Sequence, residues 1–399
     1  MKIKGFLLQE VSSIEEISLK RLFVTKRNSN NLFLFPVNKK TMKIGFDAKR
    51  YYHNLTGLGN YSRTLVGGLK ALFPENEYVL YDEKSFSRTF RLGKKAESDG
   101  CNLFHGLSNE LPFDIKSRKL KSIVTMHDIA WLTFPNMYHW ADRHIYNLKY
   151  GSSCKRADKV IAISESTKID VMRFYGVPEE RIEVIYQPVQ DYYYTPLSEE
   201  ECNRLLREHF GEEGLPPFIL YVGSINSRKN LLGVLRAMSF IPKSERPLLL
   251  VVGNGREYRR DCEAFIEKEG LRKDVLIETS IHNNRLLQAL YAKALLFIYP
   301  SFYEGFGLPV VEAALQKTPV ITSTVSSLPE AAGPDACLID PHAPDAAEQM
   351  AMHIQKLCSD RAYALSIGEK MECYSREMFT PEKLASDIFA SYKSLIHSV

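Results

Sequence analysis

Short apolar runs alternate with amphipathic segments along most of the chain. KIGFDA, EYVLYDE, KSIVTMHDI, KVIAIS and RIEVIY have the character of strands in the first half, and PFILYVGS, PLLLVVG, DVLIET, LLFIYPS, TPVITS and ACLID follow in the second. Helical stretches separate several of these runs. Strands that alternate with helices indicate a parallel sheet with helices on both faces. The pattern therefore predicts an α/β protein built from two doubly wound units.

The boundaries of these units follow from changes in composition. The first unit is predicted at residues 42–190 and the second at 217–380, with a charged, Pro-flanked connection at 191–216. The closing segment 381–399 has apolar residues at helical spacing after Pro381, so we expect a helix there that packs back on the first unit. Two such units facing each other form a cleft, and parallel sheets bind ligands outside the carboxyl ends of their strands.

Residues 1–41 differ from the rest of the chain in periodicity and in charge. They hold eight Lys/Arg against three Asp/Glu, whereas the other residues hold 44 basic and 45 acidic side chains. We interpret the segment as an extension that is disordered or that precedes the true translation start at Met42. The alternative is a basic amphipathic arm that binds an anionic membrane or a partner.

The composition limits the classes of function. A near-neutral body lacks the broad basic footprint of a nucleic-acid-binding protein. The seven cysteines include no CxxC pair, which favours a reducing compartment. No apolar run approaches the roughly 20 residues that a membrane-spanning helix needs. We therefore expect a cytoplasmic protein, with peripheral binding to the inner face of the cytoplasmic membrane as a further expectation.

The stretch SFYEGFGLPVVEAALQ follows an apolar strand and continues into a helical pattern. We expect the helix to begin near Leu308, because a proline in the first turn costs no hydrogen bond. The free N–H groups of a helix start attract anions, and glycines let a phosphate approach the backbone closely. Gly305, Phe306, Gly307 and Leu308 are therefore predicted to bind a diphosphate.

Two glutamates flank this turn, Glu304 before it and Glu312 one turn inside the helix. A carboxylate that accepts hydrogen bonds from vicinal hydroxyls is suited to a sugar or a ribose, at roughly 1.5 to 3 kcal/mol per bond. Two glutamates around one anion site thus match the ribose, diphosphate and sugar of a nucleotide sugar. A capping acid and a solvent-facing acid are the alternative interpretation.

Arg228 and Lys229, in YVGSINSRKNLLGVL, follow another buried strand and are expected to face the same cleft. An Arg beside a Lys can balance the two negative charges of a diphosphate, and two solvated loop cations are the alternative. Metal ions that do this work in nucleotide-sugar enzymes are usually held by an Asp-x-Asp pair, which this sequence lacks. We therefore expect no metal and no cofactor.

The first unit contributes two further candidates at strand ends. His127, at the end of KSIVTMHDI, is placed to donate a hydrogen bond to a sugar hydroxyl or to developing charge, with a structural histidine as the alternative. Gly57 and Gly59, in NLTGLGNYSRTL, open a helix whose N-terminus faces the cleft. The pattern lacks a full GxGxxG and a placed acidic residue, which disfavours a nicotinamide enzyme.

Taken together, SFYEGFGLPVVEA, VGSINSRKN, VTMHD, TGLGNY and the run from SSLPEAAG to LIDP resemble the retaining glycosyltransferases of family 4, which have a GT-B fold. The similarity extends in the right order from Met42 to the C-terminus, and the E-x7-E motif in this context is specific. It implies that Glu304 contacts the donor sugar and that Glu312 contacts the nucleotide ribose.

The same resemblance implies roles for the remaining candidates. Arg228 and Lys229 would neutralise the diphosphate, His127 would lie beside the donor sugar, and the loop from Gly57 to Gly59 would close over the reacting centre. The chain departs from many relatives at Ser224, where they carry an arginine after the strand-ending glycine. One phosphate contact is therefore either lost or left to Arg228.

The implied reaction is hexosyl transfer with retention, by front-face attack of an acceptor hydroxyl. GLGNY together with MHD is most similar to bacterial mannosyltransferases and rhamnosyltransferase-like enzymes of surface-polysaccharide assembly, so GDP-mannose is favoured over UDP-sugars as donor. A GT-B nucleotide-sugar epimerase, which needs no acceptor, and a non-catalytic nucleotide-sugar-binding module are the alternatives.

The first unit should bind the acceptor, a saccharide or lipid-linked saccharide. There a basic cluster is followed by the aromatic segment WLTFPNMYHWADRHIY. The cluster consists of Lys116, Arg118, Lys119 and Lys121. Basic and aromatic residues together suit an acceptor held at a membrane. A solvated loop followed by an ordinary helix is the alternative.

Overall fold

The computed structural model describes residues 41–117 and 119–397. The interpretation of the N-terminal extension, and the Arg118 member of the basic cluster, lie outside these residues. Within them the strands form two six-stranded sheets, and every pair of neighbouring strands is parallel. The two doubly wound units expected from the sequence are thereby confirmed.

The first lobe contains the first sheet, the helices between its strands and the closing helix of the chain. Its strands are β1 (Lys43–Asp47), β2 (Glu77–Tyr81), β3 (Leu103–Gly106), β4 (Lys121–Met126), β5 (Lys159–Ala162) and β6 (Ile182–Val184). Its helices are α1 (Lys49–His53), α2 (Gly57–Leu72), α3 (Ser85–Phe90), α4 (Leu92–Ser98), α5 (Ala130–Thr133), α6 (Trp140–Arg156) and α7 (Glu165–Tyr175). The strand order is β2-β1-β3-β4-β5-β6.

The second lobe contains the second sheet and the remaining helices. Its strands are β7 (Phe218–Val222), β8 (Leu248–Val252), β9 (Val275–Glu278), β10 (Phe297–Tyr299), β11 (Val320–Ser323) and β12 (Cys337–Ile339). Its helices are α8 (Glu199–Phe210), α9 (Leu231–Phe240), α10 (Glu257–Lys268), α11 (Asn284–Lys293), α12 (Leu308–Leu315), α13 (Leu328–Ala332), α14 (Ala346–Ser359) and α15 (Arg361–Met378). The strand order is β12-β11-β10-β7-β8-β9.

The strand order fixes where a ligand can bind. In the second sheet the chain adds β8 and β9 on one side of β7 and then continues with β10 on the other side. A crevice opens at such a reversal, outside the carboxyl ends of the two strands. The segments that follow β7 and β10 are those that carry the Arg-Lys pair and Glu304, so the topology brings them together.

One strand of the first sheet is absent from the prediction. Strand β3 has four residues, all buried, and lies between β1 and β4. It includes His105, whose ring is bonded on both sides, to the hydroxyls of Thr125 and Tyr392. A short run with a central histidine has little strand signal, because its polar group is satisfied only by tertiary contacts.

The chain closes with α16 (Pro381–His397), which packs on α2 of the first lobe. Leu384, Ile388 and Phe389 are buried in the same hydrophobic cluster as Leu65. The Phe389 ring stacks on Phe73, with 3.7 Å between ring centroids. No helix in the part of the chain that the structure describes is both long and apolar enough to cross a membrane.

Candidate active site

A cavity of about 360 Å³ lies between the two lobes at the carboxyl ends of their strands. Its volume is in the range of small-molecule sites. Three residues predicted to be catalytic line it, His127, Lys229 and Glu304. Five residues predicted to bind substrate also line it, Gly57, Gly305, Phe306, Gly307 and Leu308. The structure therefore brings together candidates from four separate segments of the sequence.

Arg228, the fourth residue predicted to be catalytic, does not line the cavity, but it forms an ion cluster with two residues that do. Its Nη1 atom is 3.0 Å from Oε2 of Glu304, and the Nζ atom of Lys229 is 2.6 Å from Oε1 of the same carboxylate. All three side chains are mostly buried. Burial raises the pKa of Glu304, but attraction to Lys229 and Arg228 outweighs it and holds that pKa below its ordinary value. Glu304 is therefore ionised at neutral pH.

Two asparagines hold the Arg-Lys pair in place. Residues Ser227–Lys229 form one 3-10 turn, which Asn226 caps by accepting a hydrogen bond from the Lys229 N–H at 3.2 Å. Asn230 has a φ of 57° and caps α9 by accepting from Gly233 N. Its Nδ2 also donates to the carbonyl of Pro300, at the end of β10, at 3.1 Å. The sequence carries this signal, since asparagine favours both caps and left-handed positions.

Two serines position the Glu304 segment from the opposite side. The Glu304 N–H donates to Oγ of Ser326 at 3.0 Å, and the Ser327 hydroxyl contacts the carbonyls of Glu304 and Phe306 at 2.9 and 2.8 Å. Ser326 has a φ of 54°, which is uncommon for a residue with a side chain. The sequence interpretation included both serines in the SSLPEAAG run but gave neither a role, because their contacts depend on the pairing of β10 with β11.

The helix that follows Glu304 begins at Leu308, as expected, with Gly307 as its N-cap residue. The Cα of Gly305 packs against the first lobe, and a Cβ at this position would overlap the carbonyl oxygen of His127. The glycine is therefore needed for contact between the lobes, in addition to the close approach of a phosphate that its sequence context suggests.

A second helix start faces the cavity from the first lobe. Gly57 is the first residue of α2, and a Cβ there would lie 3.9 Å from Cδ1 of Leu308. Gly59, by contrast, does not line the cavity. A Cβ at Gly59 would overlap the backbone carbonyl of Asn54. The side-chain Oδ1 of Asn54 accepts a hydrogen bond from the Gly59 N–H at 3.2 Å. Gly59 thus shapes the turn that places the start of α2, and it is not itself at the cavity surface.

His127 is buried and bonded on its first-lobe side. Its Nε2–H donates to the carbonyl of Leu107 at 2.9 Å, and its backbone N–H donates to Asn109 Oδ1 at 2.8 Å. Burial lowers the pKa of His127 to about 4, so the ring is neutral at pH 7. Because Nε2 carries the proton, Nδ1 is left as an acceptor. A ligand hydroxyl would donate to His127, which reverses the direction expected from the sequence.

Glu312 lies one turn inside α12 and does not line the cavity. Its Oε2 accepts from the hydroxyl of Tyr291, on α11, at 2.9 Å. Burial raises the pKa of Glu312 to about 7, although hydrogen bonds from Tyr291 and Tyr193 oppose the shift. The carboxyl group is thus held within the second lobe, and its contact with a ribose stays a prediction.

Comparison with protein families matches both lobes. The model described as "Glycosyltransferase Family 4" matches residues 81–191, and the model described as "Glycosyl transferases group 1" matches residues 204–374. The first match covers β3 to β6 of the first lobe, and the second covers all six strands of the second lobe.

Curated relatives are similar along much of the chain. The O-antigen chain mannosyltransferase B of Escherichia coli is 27% identical over 393 residues, which cover 89% of this chain and 100% of that protein. The serotype-specific mannosyltransferase WbdA of Escherichia coli is 29% identical over 60% of this chain, which spans only 29% of WbdA. RfbU of Salmonella typhimurium, an O-antigen chain mannosyltransferase, is 26% identical over 55% of this chain and 56% of its own length.

Solved structures share the fold at lower identity. Sucrose-phosphate synthase from Thermosynechococcus elongatus superposes with a TM-score of 0.70 at 20% identity, over 90% of this chain and 100% of that one. HepE from Anabaena, in complex with UDP, gives a TM-score of 0.68 at 16% identity, over 89% and 100% of the two chains. These structures establish the two-lobed GT-B architecture for the chain.

Proposed function

Because the chain belongs to the family 4 glycosyltransferases of GT-B fold, we propose that it transfers a mannosyl group from a nucleotide diphosphate sugar to a saccharide acceptor in surface-polysaccharide synthesis. Three relatives named as mannosyltransferases support the sugar, and two of them are named for the O-antigen chain. GDP-mannose is the favoured donor, ahead of UDP-sugars, although HepE was solved with UDP and with UDP-glucose.

The observation that carries the proposal is the charge balance around Glu304. With both cations charged, Arg228 and Lys229 supply two positive charges and Glu304 removes one, which leaves this three-residue cluster a net charge of +1. Burial lowers the pKa of Lys229 and raises that of Asp128, which also lines the cavity, so we count Asp128 as neutral. The N-termini of α2 and α12 each add a partial charge of about +0.5. The total of about +2 matches the charge of a diphosphate that lies between them. We therefore propose that the site binds the diphosphate without a metal or a cofactor.

We propose that transfer proceeds with retention, by front-face attack. The acceptor oxygen bonds to the anomeric carbon while the bond from that carbon to the diphosphate oxygen breaks, and the departing oxygen takes the acceptor proton. Lys229, Arg228 and the helix N-termini stabilise the charge that develops on the leaving group. Both oxygens of Glu304 are engaged by cations, which makes this carboxylate a poor nucleophile for a double displacement.

His127 supports donor binding in this scheme. Its neutral ring accepts a hydrogen bond at Nδ1 from a hydroxyl of the donor sugar, which orients the sugar against Glu304. A ring with a pKa of about 4 is almost entirely deprotonated at neutral pH, so it is poorly suited to general acid catalysis there.

Acceptor binding is assigned to the first lobe, where an exposed surface suits a lipid-linked saccharide. Trp140 and Leu148, on α6, are 66% and 71% exposed, and Lys116 and Lys119 are exposed as well. Exposed aromatic and aliphatic side chains, together with exposed lysines on the same lobe, favour peripheral binding at the inner face of the cytoplasmic membrane. In flotation with anionic vesicles, Trp140→Ser should bind less than the wild type; equal binding would contradict the membrane assignment.

Donor recognition can be tested by thermal shift with GDP-, UDP- and ADP-sugars in the presence of EDTA. A ligand at a hundred times its dissociation constant should stabilise the protein by about 2.7 kcal/mol. We expect the largest shift with GDP-mannose. If none of the sugars stabilises the protein, nucleotide-sugar binding is refuted. Product analysis with and without an acceptor then separates transfer from epimerisation, since an epimerase yields an altered nucleotide sugar alone.

A further inference from the structure

The two lobes meet along a line of hydrogen bonds beside the cavity, which we call the seam. On the first lobe it consists of Ile129 and five residues of α7 and its N-cap, Ser164, Glu165, Ser166, Thr167 and Asp170. On the second lobe it consists of Tyr303, Gly305 and Glu330. One helix of the first lobe, α7, therefore forms hydrogen bonds with two separate segments of the second lobe.

Glu330 makes the outer contact of the seam. Its Oε2 accepts from the backbone N–H of Glu165 at 2.7 Å, and its Oε1 accepts from Ser166 N at 3.0 Å. These N–H groups belong to the first turn of α7 and have no partner within their own helix. Burial raises the pKa of Glu330, and the two N–H bonds and the helix dipole favour its carboxylate at this end.

Gly305 makes the central contact through its carbonyl. The hydroxyl of Ser164, the N-cap residue of α7, accepts from Thr167 N and donates to Gly305 O at 2.8 Å. Gly305 also packs on the His127 carbonyl, as described above. The residue directly after Glu304 is thus held by the first lobe on two sides.

Tyr303 makes the inner contact. Its hydroxyl donates to Oδ2 of Asp170 at 2.8 Å and accepts from the backbone N–H of Ile129 at 3.3 Å. Its own carbonyl accepts a hydrogen bond from the Arg228 guanidinium. The residue directly before Glu304 therefore joins α7 to one of the two cations that hold the Glu304 carboxylate.

We propose that Tyr303 and Glu330 are positioning residues for the transfer. Both residues bind α7 and so hold Glu304 and Arg228 at a fixed distance from His127. The inference rests on the proposed function and names the groups that assemble its site. Neither residue needs to touch the substrate. Their side chains act on the first lobe, whereas Glu304, on the same loop as Tyr303, faces the cavity.

A difference between binding and turnover follows from this geometry. Lys229 and the start of α12, which are expected to bind the donor, belong to the second lobe and keep their contacts when the seam opens. His127 and the start of α2, which also contact the donor in the proposed scheme, belong to the first lobe, which we expect to hold the acceptor. Loosening the seam should therefore lower kcat more than donor affinity, because the second-lobe contacts of the donor persist whereas small misplacements of reacting groups are costly. It should also admit water, so a larger share of the donor is hydrolysed.

The test compares Tyr303→Phe and Glu330→Gln with matched controls, Tyr363→Phe and Glu348→Gln, which remove the same groups from exposed positions. We expect each seam variant to lower kcat by about tenfold, with the donor dissociation constant within about twofold of the wild type. The hydrolysed share of the donor should rise in both seam variants. The controls should match the wild type in all three measurements.

Amide hydrogen exchange measures whether the seam is closed, independently of catalysis. Amide hydrogen exchange at Glu165 and Ser166 should be faster in Glu330→Gln than in the wild type, because the amide side chain retains only one acceptor oxygen.

A wild type that transfers no sugar from any nucleotide sugar would overturn the proposed function. Unchanged kcat in both seam variants, or an equal loss of donor affinity and kcat, would overturn the positioning roles even if transfer is observed.

Discussion

The ammonium group of Lys229 lies 2.6 Å from the carboxylate of Glu304, although 74 residues separate the two in the sequence. Lys229 also donates to the hydroxyl of Tyr299, so a side chain at the end of β10 and one in the following loop hold it. The contact joins the segment after β7 to the segment after β10, where the order of the second sheet reverses. A charged pair at this position is the central electrostatic feature of the cavity.

Lys229→Gln should abolish most turnover. The substitution removes a charge from the proposed leaving-group site, and loss of one such donor in other enzymes lowers kcat by about 10²- to 10³-fold. Steady-state kinetics at saturating donor measure the effect, with Lys268→Gln, at a 78% exposed side chain, as the control. A kcat within twofold of the wild type would show that Lys229 does not stabilise the leaving diphosphate.

Gly305→Ala should separate the lobes without unfolding them. The new Cβ would overlap the His127 carbonyl, so the seam cannot close. We expect at least about a 10²-fold loss of kcat, since the reacting groups of the two lobes are misplaced. Gly67→Ala is the matched control, because a Cβ at Gly67 meets nothing within 4 Å and α2 gains helix propensity. Full activity of Gly305→Ala would contradict the closed arrangement as the active one.

Glu312 should make stability depend on pH. Its pKa is raised from about 4.5 to about 7 in the folded protein, so folding binds a proton between these values. The stability that the protonated form contributes is present below about pH 4.5 and is lost as the pH rises through 7. The free energy of unfolding, measured with urea, should therefore favour Glu312→Gln over the wild type by more at pH 8 than at pH 5. The same difference at both pH values would contradict a raised pKa.

His127 should stay neutral and protonated at Nε2 across the physiological range. Burial sets its pKa at about 4, and the Leu107 carbonyl fixes the tautomer. Nitrogen-15 NMR of the imidazole between pH 6 and pH 8 should show no titration and a protonated Nε2. His127→Ala should lower kcat/KM without moving the pH profile in this range. A His127 ring that titrates near pH 6.5 would refute the acceptor role proposed for Nδ1.

The enzyme class and the fold were predictable from local patterns. Apolar runs of four to six residues between helical stretches mark strands that are buried on both faces, as in β8 and β11. Such runs depend on short-range composition alone, and the order of the motifs is enough to indicate the GT-B glycosyltransferases of family 4. Strand β3 was missed because it contains His105, whose ring nitrogens are hydrogen-bonded by hydroxyls that are distant in the sequence.

The sequence by itself therefore determined which residues follow the strand ends, and hence that Lys229, Glu304 and His127 meet in one cleft. The tertiary structure alone decided what each of them touches: the proton position on His127, the orientation of Glu312 toward Tyr291, and the contacts of Tyr303 and Glu330 with α7. The reason is physical. Strand propensity is set by neighbouring residues in the sequence, whereas hydrogen bonds and pKa shifts depend on groups from distant segments that approach only when the chain has folded.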